Sequence, residues 1–381
     1  MRYRHRVIES KLLEYLKYFP VVGLTGPRQS GKSTLLLHSL KDYTYVTFDD
    51  YKIVNLFHQD PERFMNLYAN KVIFDEVQKV PELFSYIKMA VDKDRSAKGK
   101  FVLTGSSQFA LIKNASESLA GRIGLLSLLP FQFMEISKNI QEESIFRGGY
   151  PELVDRKYAL FEAWFSSYLE TYLNKDISAI GHIGDMRDFR RLVQLLAANT
   201  AQQMNMSRYA SDLGVDVKTI KRWITILEAS YIIFLLPPFH NNYGKRIVKS
   251  PKIYFYDTGL VSFLTGIDSS NHFEQGPMAG SLFENYIVTE ILKNELHRGT
   301  LSELYYIRTS QGVEVDLIID RKKHKEFIEI KNSATFTSKM VAGIEEFLEK
   351  GDKGYLLYRG ENFAYHPPIQ VINYKKYLEK D

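Results

Sequence analysis

The chain contains no cysteine, which excludes a disulfide framework and any thiolate metal site and is compatible with a reducing compartment. No apolar run approaches the ~20 residues needed to cross a bilayer. The opening MRYRHRVIESKLLEYLKYFP also lacks a continuous apolar segment of the signal-peptide kind, so the expectation is a cytoplasmic protein with no membrane partner. Charge of one sign is not in large excess: 50 Lys and Arg stand against 45 Asp and Glu, a formal +5 that permits contact with a polyanion without requiring it. No internal repeat or low-complexity tract is evident. What is present is an ordinary globular composition, 45% apolar and 25% charged, over 381 residues, which is more than one hydrophobic core usually serves.

Three patterns follow one another along the chain. The first 150 residues alternate short apolar runs (VVGLTG, YTYVTFDD, KVIFDE, FVLTGSS) with helical stretches, the rhythm of a parallel sheet covered by helices. From Pro151 the pattern changes to amphipathic helices. Within them SRYASDLGVDVKTIKRWITILEASYIIFLLPPF reads as helix, tight turn at Gly214, helix capped by Asp216, then strand. With the loop NNYGKRIVKS and the strand KIYFYD it resembles a winged helix with a basic wing. After the Gly- and Pro-containing NHFEQGPMAG, a helix and several strands make a third, α/β unit. The expected domains are therefore 1–150, 151–270 and 277–381.

The first unit carries GPRQSGKST, residues Gly26, Pro27, Arg28, Gln29, Ser30, Gly31, Lys32, Ser33 and Thr34, a complete GxxxxGK[ST] pattern between an apolar strand and a helix. Glycines let successive backbone N–H groups curl around phosphates, and the helix N-terminus adds a favourable field. Lys32 would reach the β- and γ-phosphates of ATP and Ser33 would ligand Mg2+. Asp75 and Glu76 end the strand KVIFDE, where the first can hold Mg2+ through water and the second can polarise the attacking water. Ser106 or Ser107, after FVLT, can orient water or sense the γ-phosphate; a simple turn is an equal alternative. Arg122 in SLAGRIG is the best arginine-finger candidate, with a surface ion pair the competing reading. Arg28 is a lesser candidate for touching phosphate.

In the middle unit Lys218, Lys221 and Arg222 lie on one side of the second helix, opposite the apolar Ile220, Trp223, Ile224 and Leu227. With Lys245, Arg246 and Lys249 on the wing they suit a DNA backbone; interdomain packing is the alternative. In the last unit, period two puts Glu329 and Lys331 on one face of KEFIEIK, with Ile328 and Ile330 on the other. Asp316 on the preceding strand and Glu284 on the preceding helix complete a set able to hold Mg2+ at a phosphodiester, with Lys331 placing water or countering charge. A solvated strand face with ordinary ion pairs would leave the same pattern. Ser310 and Gln311 are further polar turn residues near it.

The order GPRQSGKST, VIFDEVQKVPELF, FVLTGSSQFAL, SLAGRIGLLSLLPFQFMEI and GGYPE resembles the prokaryotic AAA-type ATPases that carry a C-terminal restriction-endonuclease-like domain of unknown function. The resemblance covers nearly the whole chain. It implies an α/β fold with a P-loop parallel-sheet ATPase domain, a helical and winged-helix middle, and a nuclease-like α/β end. It assigns Lys32 and Ser33 to nucleotide and metal, Asp75 and Glu76 to hydrolysis, and Arg122 to a trans-acting role in a homo-oligomer. Asp316, Glu329 and Lys331 also resemble the D…ExK signature of restriction-endonuclease-like nucleases. Two functions follow: an ATP-driven protein acting on DNA, or an ATP-dependent regulatory or protein-interaction switch whose nuclease-like domain does not cleave.

Overall fold

The computed structural model describes residues 3–105, 115, 117–180, 185–239, 249–300 and 302–380, with 172–180 as helix backbone only. The N-terminal part runs α1 (Ile8–Tyr18), β1 (Val21–Thr25), α2 (Lys32–Ser39), β2 (Thr44–Thr47), α3 (Tyr51–Gln59), α4 (Pro61–Leu67), β3 (Val72–Asp75), α5 (Leu83–Lys93), β4 (Phe101–Thr104) and β5 (Ile123–Ser127). The strands form one parallel sheet in the order β2-β3-β4-β1-β5. Every residue of β1, β3 and β4 is buried, as a parallel sheet covered on both faces requires. Alternate side chains divide between two cores. Val21, Phe74, Phe101 and Leu103 join the Phe48, Phe57 and Phe64 cluster, and Val22, Leu24, Ile73 and Val102 pack against Ile8, Leu12, Leu35 and Leu36.

The middle part continues with α6 (Gln141–Arg147), α7 (Pro151–Asp155), α8 (Phe161–Ile180), α9 (Met186–Ala198), α10 (Met206–Leu213), α11 (Val217–Ala229), β6 (Ile233–Leu236), β7 (Lys252–Phe255), α12 (Thr258–Thr265) and α13 (Ser270–Gln275). Gly214 closes α10 in the left-handed conformation, and the Asp216 carboxylate accepts the Thr219 N–H at 2.7 Å to cap α11. Ile220, Trp223, Ile224 and Leu227 form the buried stripe of α11. Strands β6 and β7 pair antiparallel, and residues 237–239 go on to exchange backbone hydrogen bonds with Tyr306 in the C-terminal part.

The C-terminal part comprises α14 (Ala279–Arg298), β8 (Glu303–Arg308), β9 (Glu314–Asp320), β10 (Lys325–Lys331), α15 (Ala342–Phe347), β11 (Lys353–Tyr358), β12 (Ile369–Asn373) and α16 (Tyr374–Leu378). Its sheet is mixed, in the order β12-β11-β10-β9-β8, antiparallel from β8 to β10 and parallel from β10 to β12. One apolar core runs from Phe131 and Phe133 through Trp223 and Tyr254 to Ile328 and Leu357, so the three parts are packed together.

Helix α14 is the element they share. Polar side chains on it, among them Asn285, Glu290, Lys293 and His297, are buried and reach other segments of the chain. The Asn285 amide exchanges hydrogen bonds with the Phe255 backbone, at 2.8 and 2.9 Å, and accepts the Thr200 hydroxyl at 2.5 Å. Glu290 accepts the Phe133 N–H at 2.5 Å, while Lys293 donates to the Phe131 carbonyl at 3.0 Å and to Glu290 at 2.7 Å. Burial depresses His297 well below the usual histidine range, so the ring is neutral. Its Nε2 accepts the Leu129 N–H at 3.1 Å, which leaves Nδ1 protonated to donate to Gln132 Oε1 at 2.9 Å.

Asp257, between β7 and α12, ties them to the turn between α6 and α7 by accepting the Gly149 N–H at 2.8 Å, and caps α12 by accepting the Gly259 N–H at 2.9 Å. Gly148 beside it has φ 74°, and a Cβ there would lie 2.0 Å from Asp257 Oδ1. Burial pushes the Asp257 carboxyl up to about 6, against the pull of Lys293 and the donated N–H bonds. The folded state thus keeps a proton that the unfolded chain has already released, and stability falls as pH rises from about 4 to about 6. Asp257→Asn should remove this part of the pH dependence of the urea midpoint. An unchanged slope over that interval would show that Asp257 does not titrate there.

Candidate functional sites: a phosphate loop and a buried carboxylate cluster

All strands of the first sheet point the same way, so the loop after β1 and the acids after β3 emerge on one edge with β4 between them. Loop residues 26–31 then run into the N-terminus of α2, which begins at Lys32. Gly26 has φ 140°, and a Cβ on it would lie 2.0 Å from the Leu128 carbonyl oxygen; Gly31 has φ 94°. Arg6 clamps the loop from outside, donating to the Ser30 carbonyl at 2.9 Å and the Leu129 carbonyl at 2.6 Å while pairing with Glu135 at 3.0 Å.

Lys32 is folded back on the loop, its ammonium donating to the carbonyls of Gly26 and Pro27 at 2.9 and 2.8 Å. Ser33 Oγ donates to Asp75 Oδ2 at 3.1 Å, and the Tyr45 hydroxyl bonds the same oxygen. Burial and that carboxylate push the Tyr45 phenol up, so it remains a donor. Glu76 follows with φ 56°, a left-handed backbone that a non-glycine residue adopts at a cost, and its carboxylate accepts the Gln78 amide. Gln29 and Thr34 are exposed and Arg28 is half-buried.

Two buried hydroxyls at this edge, Ser30 Oγ in the loop and Thr104 Oγ1 at the end of β4, have no hydrogen-bond partner among the described residues. Unsatisfied buried polar atoms of this kind, next to a lysine and a serine–aspartate pair, suit a site built for a hydrated phosphate and Mg2+. Beside the loop lies a cavity of about 390 Å³ walled by Tyr3, Arg6, Gly31, Leu35, His38 and Phe131. Its mouth carries the stacked Tyr3 and His38 rings, 3.5 Å apart.

Arg122 lies apart from this group. Its carbonyl accepts the Val21 N–H at the start of β1, on the order of 15 Å along the strand from the loop, and its guanidinium holds Asp92 in a two-point ion pair at 2.9 and 3.1 Å. Ser106, Ser107, Lys245 and Arg246 lie outside the described residues. Lys218, Lys221, Arg222 and Lys249 are exposed, as are Ser310 and Gln311 in the turn from β8 to β9.

The C-terminal acids converge. Asp316 on β9 accepts the Ile330 N–H at 2.9 Å and lies 3.5 Å from Lys331 Nζ, which bonds Glu329 at 2.5 Å. Glu284 joins them from α14, and Glu314, two residues before Asp316, joins from the sheet. Between them sits Lys252, the first residue of β7: its buried ammonium is 2.9 Å from Glu284, in contact with Glu314, and 3.6 Å from Asp316. Burial alone would depress Lys252, but Glu284, Asp316 and Glu314 hold it well above the usual lysine range. Burial raises Glu284 and Glu329, in the second case with repulsion from Asp316.

Mg2+ does not fit this second cluster as it stands. Its carboxylates are drawn around an ammonium, whereas Mg2+ needs oxygens at about 2.1 Å. Among the described residues no group of three or more His, Asp or Glu side chains is arranged to hold a metal ion. Among them, too, no helix is long and apolar enough to cross a membrane.

The loop, the acidic strand end and the sheet order define an AAA-type P-loop ATPase module, and a model of the AAA domain matches residues 18–137. Residues 138–271 and 279–377 match two domains of unknown function, DUF8612 and DUF4143. The uncharacterized protein Rv2008c of Mycobacterium tuberculosis is 31% identical over 337 residues, 88% of this chain and 75% of the relative. The chain belongs to the family of that protein. A Methanocaldococcus jannaschii relative, also uncharacterized, is 23% identical over 352 residues, 82% of this chain and 75% of its own length. A solved Walker-type ATPase of Pyrococcus abyssi is 17% identical, with a TM-score of 0.45 over 68% of this chain and 94% of that one.

The loop geometry is open to a direct test. Gly26→Ala forces both a disfavoured backbone and a contact with the Leu128 carbonyl, and should cost about 2 kcal/mol or more of stability together with nucleotide binding. Thermal melts and a fluorescent-nucleotide titration read the two effects. A variant that melts and binds like the parent would show that the loop tolerates a side chain there.

Proposed function

We propose that the chain binds and hydrolyses ATP and uses the cycle to act on DNA through its middle helices. The observation that carries the first part is the meeting of Lys32, Ser33 and Asp75 at one edge of the sheet, with the Ser33 hydroxyl 3.1 Å from the Asp75 carboxylate. In this reading Lys32 leaves its two loop carbonyls to pair with the β- and γ-phosphates, and Gly26–Thr34 supply backbone N–H groups. Ser33 and Asp75 hold Mg2+, which supplies charge neutralisation of the phosphates. Glu76, held by Gln78, polarises the attacking water. The cavity walled by Tyr3, Arg6 and His38 is of a size and character to receive a base.

The DNA reading rests on Lys218, Lys221 and Arg222, exposed along α11 after a tight turn, in a unit that we read as a winged helix. A second reading, a regulatory switch whose nuclease-like end does not cleave, is favoured by one observation: Lys252 sits where the C-terminal acids would otherwise meet a cation. We read the mixed sheet with Asp316, Glu329 and Lys331 as restriction-endonuclease-like in both cases.

Lys32→Ala should abolish ATP binding and turnover, and Glu76→Gln should bind ATP normally while losing at least about tenfold in turnover. Turnover persisting in a clean Lys32→Ala preparation would overturn the assignment. Duplex DNA should stimulate the parent, and replacing Lys218, Lys221 and Arg222 together by alanine should lower that stimulation and flatten its salt dependence. Indifference to DNA across a salt series would favour the regulatory reading. If Arg122 completes a neighbouring subunit's site, Arg122→Ala should lose turnover but keep ATP affinity, and mixing it with Lys32→Ala chains should restore part of the activity. Full activity in Arg122→Ala alone would leave that residue its ion pair with Asp92 as its only role.

A further inference from the structure

A lysine at the first position of a strand ordinarily reaches solvent. Lys252 does the opposite: it enters from the β6–β7 hairpin of the middle part, is 3% exposed, and ends among acids that belong to the C-terminal part. An ammonium removed from water is costly unless surrounded by opposite charge, so the site specifies a cation at that point. The surroundings bear this out. Tyr254, two residues along β7, donates to Glu284 Oε1 at 2.6 Å; the Tyr306 ring lies 5.4 Å from the ammonium; and Glu329 Oε2 is buried without a hydrogen-bond partner. Four carboxylates, Glu284, Glu314, Asp316 and Glu329, face Lys252, Lys331 and Arg308, the last pairing with Glu314 at 3.0 Å.

We propose that Lys252 is a tethered cation that occupies a divalent-metal site of the C-terminal sheet and keeps it closed to metal while the hairpin is seated. The hairpin is held there by further bonds to the same sheet: residues 237–239 pair with Tyr306, and the Tyr306 hydroxyl bonds the Ser250 carbonyl. Removing the ammonium leaves the four carboxylates facing only two cations, a deficit that a divalent ion with its waters can cover. Because β7 of the middle part carries the ammonium to acids of the C-terminal part, the closure is a contact between the two parts. The inference rests on the metal-type reading of Glu284, Asp316 and Glu329.

The test is Mn2+ binding to the full chain without nucleotide, followed by calorimetry and by electron paramagnetic resonance of free Mn2+, with a thermal melt of each variant in parallel. The parent should show no Mn2+ site that depends on Asp316. Lys252→Ala should gain one site per chain, at least about tenfold tighter than anything in the parent, lost again in Lys252→Ala with Asp316→Asn, and Mn2+ should raise its melting temperature by several degrees. Should Lys252→Ala lack a cooperative melt, Lys252→Gln, which keeps an amide donor for Glu284, is read by the same criteria. An Asp316-dependent Mn2+ site already present in the parent would overturn the closure while leaving the metal site standing. A folded variant that gains no site would overturn both, leaving Lys252 as an internal ion pair.

Discussion

Helix α14 can exist in its observed place only if every polar group on it is paired. It is wrapped by the rest of the chain, yet carries Asn285, Glu290, Lys293 and His297 on its buried faces, with Glu284 at its edge. Each would be expensive to bury alone. The partners come from elsewhere: backbone groups of Phe131 and Phe133 and the Gln132 side chain, the Phe255 backbone and Thr200, and Lys252 with Tyr254. The relative placement of the parts follows from this demand. A C-terminal fragment starting at the helix would keep the Glu290–Lys293 pair but lose the Phe133 N–H, the Phe131 carbonyl and both partners of His297.

The same demand explains how unlike the two charged sites are. At the phosphate loop, the Lys32 ammonium rests on carbonyls of its own loop, and Ser30 and Thr104 keep buried hydroxyls unpaired among the described residues. Hydroxyl donors of that kind beside an ammonium suit an anion. In the C-terminal cluster Lys252, Lys331, Arg308 and Tyr254 answer the acids nearly in full, and the main exception is one oxygen of Glu329. That is the condition of a site already answered from within.

What was legible in the sequence divides along the same line. The loop Gly26–Thr34 is contiguous and its glycines are required by backbone angles, so pattern alone located it; Asp75 followed because a parallel strand must end beside it. The period-two face of β10 placed Glu329 with Lys331, and the Asp216 cap and the turn at Gly214 were local as well. The groups that reading missed are those whose role is created by distant contact. Tyr45 and Tyr231 are two of 25 tyrosines, and nothing in their neighbourhoods marks hydroxyls that meet Asp75 in one case and Thr25 and Ser127 in the other. Lys252 opens KIYFYD as an ordinary strand lysine would, and Arg6 lies in the opening MRYRHR, where no pattern marks a residue that clamps the loop. For Arg122 an ion pair was legible as the competing reading, but not that Asp92 is its partner.

Tyr231, at the turn between α11 and β6, has φ 58° and a buried hydroxyl shared between Thr25 at 2.7 Å and Ser127 at 3.1 Å. Thr25 is the last residue before the phosphate loop, and the hairpin that starts two residues after Tyr231 carries Lys252 at the head of its second strand. One phenol therefore lies between the root of the phosphate loop and the hairpin whose Lys252 meets the C-terminal acids. A module exchanged for either part would have to meet this hydroxyl, as well as the partners of α14, at the same points.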